Sequence, residues 1–384
     1  MGMQAIAALQ KVKDIDSPSY QHHQCREWHR GLPCPSQQRK SQSLSETPFD
    51  PETFADEADN KAFGRPDTVL YLAYGSNLCA ETFQGKRGIR PLAQVNVLVP
   101  ELVMTFDLPG IPYAEPCFAN TRFRNNPASV QSNTAYSEKR PILKTESSLK
   151  YHKDRWKKGL VGVVYEVTKK DYAHIIATEG GGASYQDIVV DCYALSAVET
   201  VPEKPTATPF KAHTLFSPAI PPTPPGQSPP KSGGRITRPD PSYAQASARY
   251  LKLITDGADE HGLPEEYKQY LHDLRPYTIT TNRQRLGQFI FLALWAPIVS
   301  FIFSVDKLFG GKDGRSPAWL VELTGAIFKA VWASYDGFFF KLFGDGERTM
   351  NKDEDKVAQR YPRFGNSNKG YGATLEGERG HGIV

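Results

Sequence analysis

The stretch Val69–Gln84, VLYLAYGSNLCAETFQ, constrains the fold most, because an apolar strand-like run meets a helix-like pattern at a small polar turn. The turn consists of Gly75, Ser76 and Asn77, and it follows Tyr74 directly. A helix that begins there would point its first backbone N–H groups at one spot, which can bind a carboxylate or a phosphate. Glycine permits close backbone approach, and serine and asparagine can cap the helix or donate to a ligand. The junction predicts either a binding site or an N-capped helix without one.

A second feature is a carboxylate at a predicted helix end. In IIATEGGGASYQD, Glu179 follows a helical pattern and precedes three glycines. The C-terminal end of a helix dipole disfavours an ionised carboxylate. General acid–base catalysis uses such a carboxyl group, whereas a structural glutamate gains nothing from this position. Glu179 is therefore a candidate catalytic residue, although an exposed glutamate before a glycine loop would give the same pattern.

Strand-like and helix-like patterns follow one another in the middle of the chain. TVLYLAY, ELVMTFDL, GLVGVVYEVT and YQDIVVDCYALSAVE are typical of strands. KKDYAHIIATEGG predicts a helix, because Tyr172, Ile175 and Ile176 recur at helical spacing before the glycines. Further on, the residues HGLP separate two more predicted helices. A strand-rich part is therefore followed by a helical part.

Composition divides the chain into segments. The hydrophobic content of 39% is low for a wholly globular chain, and 30 prolines and 31 glycines indicate a folded part diluted by flexible segments. The predicted organisation is a disordered region at 1–66, a barrel domain at 67–200 with an inserted loop at 125–158, a Pro-rich linker at 201–241, a helical extension at 242–277, an apolar helical pair at 284–344 and a disordered tail at 345–384.

Charge and cysteine usage limit the classes of partner and cofactor. The 46 basic and 42 acidic residues give a net charge of +4, which provides no electrostatic case for nucleic acid. Five cysteines without a CxxC pair favour reduced thiols in a protein that faces the cytosol. The cluster HHQCREWHRGLPC matches no standard zinc-finger spacing, so no metal is predicted.

The apolar pair allows two interpretations. Leu286–Val305 contains no formal charge and as a helix would be about 30 Å long, the thickness of a bilayer core. In 318–343, Glu322, Lys329 and Asp336 fall seven apart and so share one helix face, opposite aromatic residues. The pattern predicts membrane association through 286–305 and 318–343, with the protein facing the cytoplasm. The alternative is a hydrophobic hairpin docked on the globular domain.

The ordered set of motifs resembles the γ-glutamylcyclotransferase family. The resemblance lies in YGSN after the first strand, PCFANTRF at Pro116–Phe123, GVVYEV in the next strand, and Glu179 with the trailing Tyr185 in TEGGGASY. It covers roughly 68–200, and the helices that follow look like the extension of fungal-type members, to about residue 277. The apolar pair lies outside the family's core. The resemblance implies an α+β fold, a small mixed β-barrel with flanking helices, to which the apolar pair is added.

The resemblance also implies a reaction. A γ-glutamyl peptide, glutathione derivative or γ-glutamyl amine would release 5-oxoproline when its own α-amine attacks its γ-carbonyl, without a cofactor or metal. Glu179 would act as general acid and base, and the backbone donors at Gly75–Asn77 would hold the substrate. Tyr74 and Tyr185 would line the pocket. Asn120, in the FAN sequence, would line the same cavity or serve as a core asparagine.

Two classes of alternative remain open. One is a barrel of the same fold that binds a small ligand without turning it over. The other is a membrane-tethered scaffold whose N-terminal and Pro-rich segments recruit partners.

Overall fold

The computed structural model describes residues 32–49, 68–124, 155–178, 186–196, 199–217, 238, 240, 243–309 and 317–350. Seven strands occur within these ranges. They are β1 (Thr68–Ala73), β2 (Ala93–Val99), β3 (Leu102–Ile111), β4 (Glu115–Phe123), β5 (Leu160–Thr168), β6 (Gln186–Ala194) and β7 (Pro209–Phe216).

Five of the strands form a closed barrel in the order β1, β5, β2, β6, β7. Neighbouring strands run antiparallel, except that β1 and β7 close the barrel in parallel, with Tyr71 opposite His213. Strands β3 and β4 form a separate antiparallel hairpin. Both faces of β1 and β5 are largely buried, which explains their continuous apolar sequences. The predicted small mixed barrel with flanking helices is confirmed.

The barrel extends beyond the boundary predicted at residue 200. Strand β7 lies inside the segment predicted as a Pro-rich linker, and it pairs with β6 from Pro209 opposite Tyr193 to Phe216 opposite Gln186. Pro209 is the first residue of this strand, a position that proline tolerates. Composition hid the strand because prolines surround it on both sides.

The helices of the described residues are α1 (Gln37–Ser43), α2 (Lys169–Thr178), α3 (Ala248–Glu260), α4 (Glu265–His272), α5 (Asn282–Phe309), α6 (Ala318–Ser334) and α7 (Phe340–Phe343). Helices α3 and α4 confirm the two helices predicted on either side of HGLP. Gly262 ends α3 with a positive φ of 57°, a conformation that glycine adopts without strain.

Residues 32–49, which lie in the region predicted as disordered, form a strap on the barrel. The Arg39 side chain donates to Thr68 Oγ1 at 3.1 Å and to the Thr68 carbonyl at 3.0 Å. The backbone N–H of Lys211 in β7 donates to Ser43 Oγ at 2.9 Å. Polar composition favours disorder only while the polar groups remain solvated, and here the barrel supplies their partners.

A buried polar cluster holds the end of the strap. Asp187 accepts from His213 Nδ1 at 2.7 Å, from the Tyr172 hydroxyl at 2.6 Å and from the Phe49 backbone N–H at 2.6 Å. His213 Nε2 lies 3.3 Å from Glu46 Oε2, an ion-pair contact rather than a directed hydrogen bond. Burial alone would lower the pKa of His213, but Asp187 and Glu46 outweigh it and raise the pKa. The two carboxylates therefore favour the protonated form of this buried histidine.

Helix α3 packs along the turn that follows β1. The Tyr250 hydroxyl lies near Gly75, at 3.3 Å from the position that a Cβ would take there. A Cβ on Gly257 would lie 2.4 Å from the Leu78 carbonyl carbon, so only glycine allows this approach of helix and turn. Glu260 accepts from the Ala80 N–H at 2.9 Å at the end of the helix. The helical extension thus positions the YGSN turn.

The apolar pair docks on the tip of the β3–β4 hairpin. The Tyr113 hydroxyl is shared between the carbonyls of Phe339 at 3.1 Å and Gly344 at 2.8 Å. Gln288 donates to the Tyr113 carbonyl at 2.7 Å. The Phe291 ring packs against Tyr113 edge-on, with 5.7 Å between ring centroids. The base of the pair therefore shares a core with the globular domain, as the soluble alternative expected.

Arg238 joins the base of the pair to the segment that follows it. Its guanidinium donates to both Asp336 oxygens at 2.7 Å and to both Glu347 oxygens at 3.1 and 2.8 Å. It also lies 4.0 Å from the centroid of the Trp332 ring. These carboxylates outweigh the effect of burial and raise the Arg238 pKa.

Two expectations about this region change. Asp336 lies in a π-helical turn, Tyr335–Phe339, and is bound by Arg238, whereas Glu322 and Lys329 are exposed. The start of the predicted disordered tail is buried as well, since Asp345 accepts from the backbone N–H groups of Glu347 and Arg348. In both places a buried polar contact overrides the local pattern.

Gly257→Ala should destabilise the protein, although alanine favours a helix interior by about 1 kcal/mol. The added Cβ would collide with the backbone of Leu78 and Cys79, and overpacking of this kind costs about 1–3 kcal/mol. Chemical denaturation of the full chain measures the change. Gly325→Ala in α6 is the matched control, because no atom lies within 4 Å of its Cβ position, and it should be neutral or stabilising. Equal stability of the two variants would contradict the packing argument.

Glu46→Gln should destabilise the protein most at mildly acidic pH, by about 1–3 kcal/mol. Burial alone would raise the Glu46 pKa, but His213 and Arg39 outweigh burial and lower it. The stabilisation that ionised Glu46 gives the fold is therefore present above the usual carboxyl pKa, and it is lost as pH falls through the lowered pKa. The raised His213 pKa means that protonated His213 stabilises the fold fully below the usual histidine pKa. This stabilisation is lost as pH rises through the raised pKa.

The difference in melting temperature between wild type and Glu46→Gln, recorded from about pH 5 to 9, should therefore shrink towards alkaline pH. Glu203→Gln, at an exposed position, provides the control. A pH-independent difference would count against a charged His213.

Candidate functional site

The turn after β1 is not the start of a long helix. Ser76–Leu78 form a single 3-10 turn, and a short π-helical segment, Glu81–Lys86, follows it. In a continuous helix the Ala80 N–H would bond to the Ser76 carbonyl, but it donates to Glu260 of α3 instead. The expectation of a helix that begins at YGSN is therefore wrong, because α3 takes the hydrogen bond that would continue it.

This geometry changes the physical basis of the anion-binding site predicted at the turn. A three-residue turn has no helix dipole of useful size, so the macrodipole contributes nothing to anion binding here. Ser76 and Asn77 are each only 3% exposed. Asn77 Nδ2 donates to the Tyr71 hydroxyl at 2.8 Å, which ties this side chain to β1. Any role of the turn rests on its own amide and hydroxyl groups.

Three elements meet at Gly75. The Tyr250 hydroxyl of α3 accepts from the Ala119 N–H of β4 at 3.2 Å, and both residues are within contact distance of a Cβ built on Gly75. Tyr74 is also buried here and donates to the Leu215 carbonyl of β7 at 3.3 Å. The YGSN turn is thus enclosed by β4, β7 and α3.

Sequence reasoning missed Tyr250 as a neighbour of this turn. The helical pattern of SARYLKLITDG predicted α3 but not the surface on which it docks. The available signal was Gly257, since a glycine inside a helical pattern often marks a close packing contact.

Asn120 behaves as a structural asparagine. Its side-chain amide donates to Asp107 Oδ1 and to the Ser217 carbonyl, both at 3.1 Å, and its oxygen lies 3.5 Å from the Ser217 N–H. It therefore ties the β3–β4 hairpin to the end of β7. The core interpretation of this residue is the one that its contacts favour.

Glu179 and Tyr185 lie outside the described residues. Helix α2 is described to its last residue, Thr178, whose hydroxyl accepts from Arg87 Nη1 at 2.5 Å. Arg87 directly follows the π-helical segment Glu81–Lys86 and is 8% exposed. The chain position immediately before Glu179 is thus bonded to the segment that follows the YGSN turn.

Cys79 is the thiol nearest to the turn, and it is not activated. Burial and the negative charge of Glu260 raise its pKa to about 12, so the thiol is neutral at physiological pH. Within the described ranges, no group of three or more His, Cys, Asp or Glu side chains is arranged to hold a metal ion.

Comparison with known proteins identifies similar fungal chains. γ-Glutamyl cyclotransferase gliK of Aspergillus fumigatus is 29% identical over 299 residues, which cover 77% of this chain and 94% of the relative. γ-Glutamyl cyclotransferase aclK of Aspergillus oryzae is 26% identical over 289 residues, covering 74% and 91%. The family described as AclK C-terminal domain matches residues 281–342, the apolar pair.

A solved structure titled γ-glutamyl cyclotransferase overlaps 56% of this chain and 92% of its own length, at 16% identity and a TM-score of 0.35. The pair that the motifs alone leave outside the family's core thus matches a domain named after AclK, and aclK is itself among the similar fungal chains. The resemblance of this chain to the γ-glutamylcyclotransferase family, through its fungal members, is confirmed along most of its length.

Proposed function

We propose that the chain is a γ-glutamyl cyclotransferase that releases 5-oxoproline from a γ-glutamyl peptide, a glutathione derivative or a γ-glutamyl amine. The observation that carries the proposal is its similarity to relatives of that name over 94% and 91% of their lengths. The YGSN turn and Glu179, which the motif resemblance assigns to binding and catalysis, are both present in the sequence.

The reaction needs little covalent chemistry from the protein. The α-amine nitrogen of the substrate bonds to its own γ-carbonyl carbon, and the bond from that carbon to the leaving amine breaks. The α-ammonium nitrogen loses two protons as it becomes the lactam N–H, and the leaving nitrogen gains two and departs as an ammonium, so atoms and charge balance. Because the attack is intramolecular, holding the substrate in a bent conformation can contribute up to about 7–11 kcal/mol.

Glu179 is the residue proposed to transfer the proton. It directly follows Thr178, which is bonded to Arg87 beyond the YGSN turn. This bond holds the end of α2 next to the segment that follows the YGSN turn, which supports the proposal. A single carboxylate can accept the proton from the α-ammonium and return it to the leaving amine.

The turn is proposed to hold the substrate rather than to react. Backbone N–H groups at Gly75–Asn77 would donate to the substrate's α-carboxylate or polarise the reacting carbonyl. Tyr74 and Tyr185 would form the walls. The buried Tyr250 hydroxyl lies at the base of this turn, so the helical extension would contribute to the same pocket.

Glu179→Gln should lower the rate of 5-oxoproline formation by about 10²–10⁴-fold, as is typical for loss of a general acid–base group. The full chain, purified in mild detergent, is incubated with γ-glutamyl-alanine, glutathione and a γ-glutamyl-cysteinyl conjugate. Liberated 5-oxoproline is then quantified by mass spectrometry. The substrate that turns over identifies the class of leaving group.

Exposed Glu203→Gln serves as the control and should keep the wild-type rate. Circular dichroism of both variants checks that the fold is retained. Near-normal turnover by Glu179→Gln would show that another group is the acid. Binding of these substrates without any product in the wild type would favour the non-catalytic alternative on the same fold.

A further inference from the structure

We propose that the apolar pair is a lipid-contact element that holds the barrel on a bilayer surface. The observation is a continuous exposed apolar arc along α5. Its members are all apolar and recur at helical spacing: Leu286, Phe289, Ile290, Ala293, Leu294, Pro297, Ile298 and Phe301. Phe289 is 71% exposed and Phe301 is 69% exposed. Large aromatic side chains this exposed need a partner or a lipid phase.

Length and composition agree with a lipid environment. The segment Asn282–Val305 is long and apolar enough to cross a membrane, and 28% of its most apolar window is buried. A core helix of a soluble domain of this composition would be buried on most sides. The described part of the chain therefore buries less than a third of the residues in this window.

Only the base of the pair rests on the globular domain. Its core there combines Tyr113 of the β3–β4 hairpin with Phe291, Tyr335 and Phe339. Further out, the buried cluster consists of Val299, Phe303 and Phe328, which belong to α5 and α6 alone. Within the described residues, no third layer covers the outer part of the pair. Among the described residues, the outer part is therefore a two-helix projection whose α5 side is apolar.

Both ends of the pair meet at the base. Arg283, near the start of α5, donates to the carbonyls of Lys341 and Leu342 near the end of α7. The hairpin can therefore enter and leave a bilayer only on the side where the barrel lies. Insertion in this manner leaves the YGSN turn and residues 345–349 on the same side of the membrane.

Charge at the base is complementary to anionic headgroups. The exposed charged residues there are Arg283, Arg285 and Lys341, all of them basic. The carboxylates of Asp336 and Glu347 share the Arg238 guanidinium, and Glu347 and Asp345 are buried. Each basic side chain close to an anionic membrane strengthens binding about fivefold. The exposed surface of the pair thus changes from apolar to positively charged at the level where the lipid headgroups would lie.

A second copy of the chain fits the arc less well than lipid. A partner helix covers a narrow seam, about two positions in seven, whereas the arc occupies half of the helix circumference. Protein interfaces also carry a polar rim with direct hydrogen bonds, and the members of the arc have no polar side chain. On α6, exposed Glu322 and Lys329 lie beside exposed Trp319 and Leu323, which gives the pair one polar edge.

The test is flotation of the full chain with phosphatidylcholine vesicles, with and without 30% phosphatidylserine. The variant Phe289→Ser/Leu294→Ser/Phe301→Ser should lower the bound fraction to both vesicle types by at least tenfold, without changing the melting temperature. The matched control is Leu44→Ser/Leu92→Ser, because these leucines are 47% and 48% exposed on the strap and the barrel. The control should bind like the wild type.

Charge and self-association are separated by two further measurements. Arg285→Gln/Lys341→Gln should weaken binding to the anionic vesicles by about twentyfold and leave binding to phosphatidylcholine unchanged. Light scattering without lipid should give the same mass for the wild type and the serine variant. A wild type that stays off the vesicles, or a dimer that the serine variant dissociates, would overturn the proposal.

Discussion

The confinement of strand β1 is the constraint on which the rest of the structure depends. The strand pairs with β5 along its whole length, closes the barrel against β7, and is bound at its first residue by Arg39 of the strap. Because a strand held on both edges and covered on both faces cannot shift its register, its exit at Tyr74 has a fixed position. The position of the YGSN turn is therefore set by the end of β1 and by its contacts with α3.

Buried polar contacts then join pieces of chain that are far apart in sequence. His213 binds the strap through Glu46, Arg238 binds the base of the pair through Asp336, and Glu260 binds the turn through Ala80. Such contacts contribute little net stability against apolar replacements, but a buried polar group that loses its partner costs about 1–3 kcal/mol. Their main effect here is to select one arrangement of segments that apolar packing alone would leave underdetermined.

Sequence periodicity predicted the strands and helices whose formation depends on neighbouring residues. The buried strands β1, β3, β5 and β6 and helices α2 to α4 correspond to runs that periodicity identified, and the motif order pointed to the barrel. The strap, β7 and the start of the tail could not be predicted, because each is polar or proline-flanked and gains its order from distant partners such as Asp187, β6 and Arg238. The helix expected after YGSN failed for the same reason, since Glu260 lies 180 residues from the N–H that it accepts.

Strand β7 is held by its pairing with β6, and Arg238 is held by its hydrogen bonds to Glu347. Residues 218–237 connect these two anchors in the sequence. The entropy of closing such a connection grows only logarithmically, so doubling its length costs about 0.6 kcal/mol. Natural selection can therefore lengthen, shorten or rewrite the sequence between these two anchors at little energetic cost, whereas the buried contacts of the anchors themselves tolerate few changes. Orthologues aligned on their barrels should consequently differ most in the number of residues between these two anchors. A difference in length there does not imply a difference in the reaction catalysed.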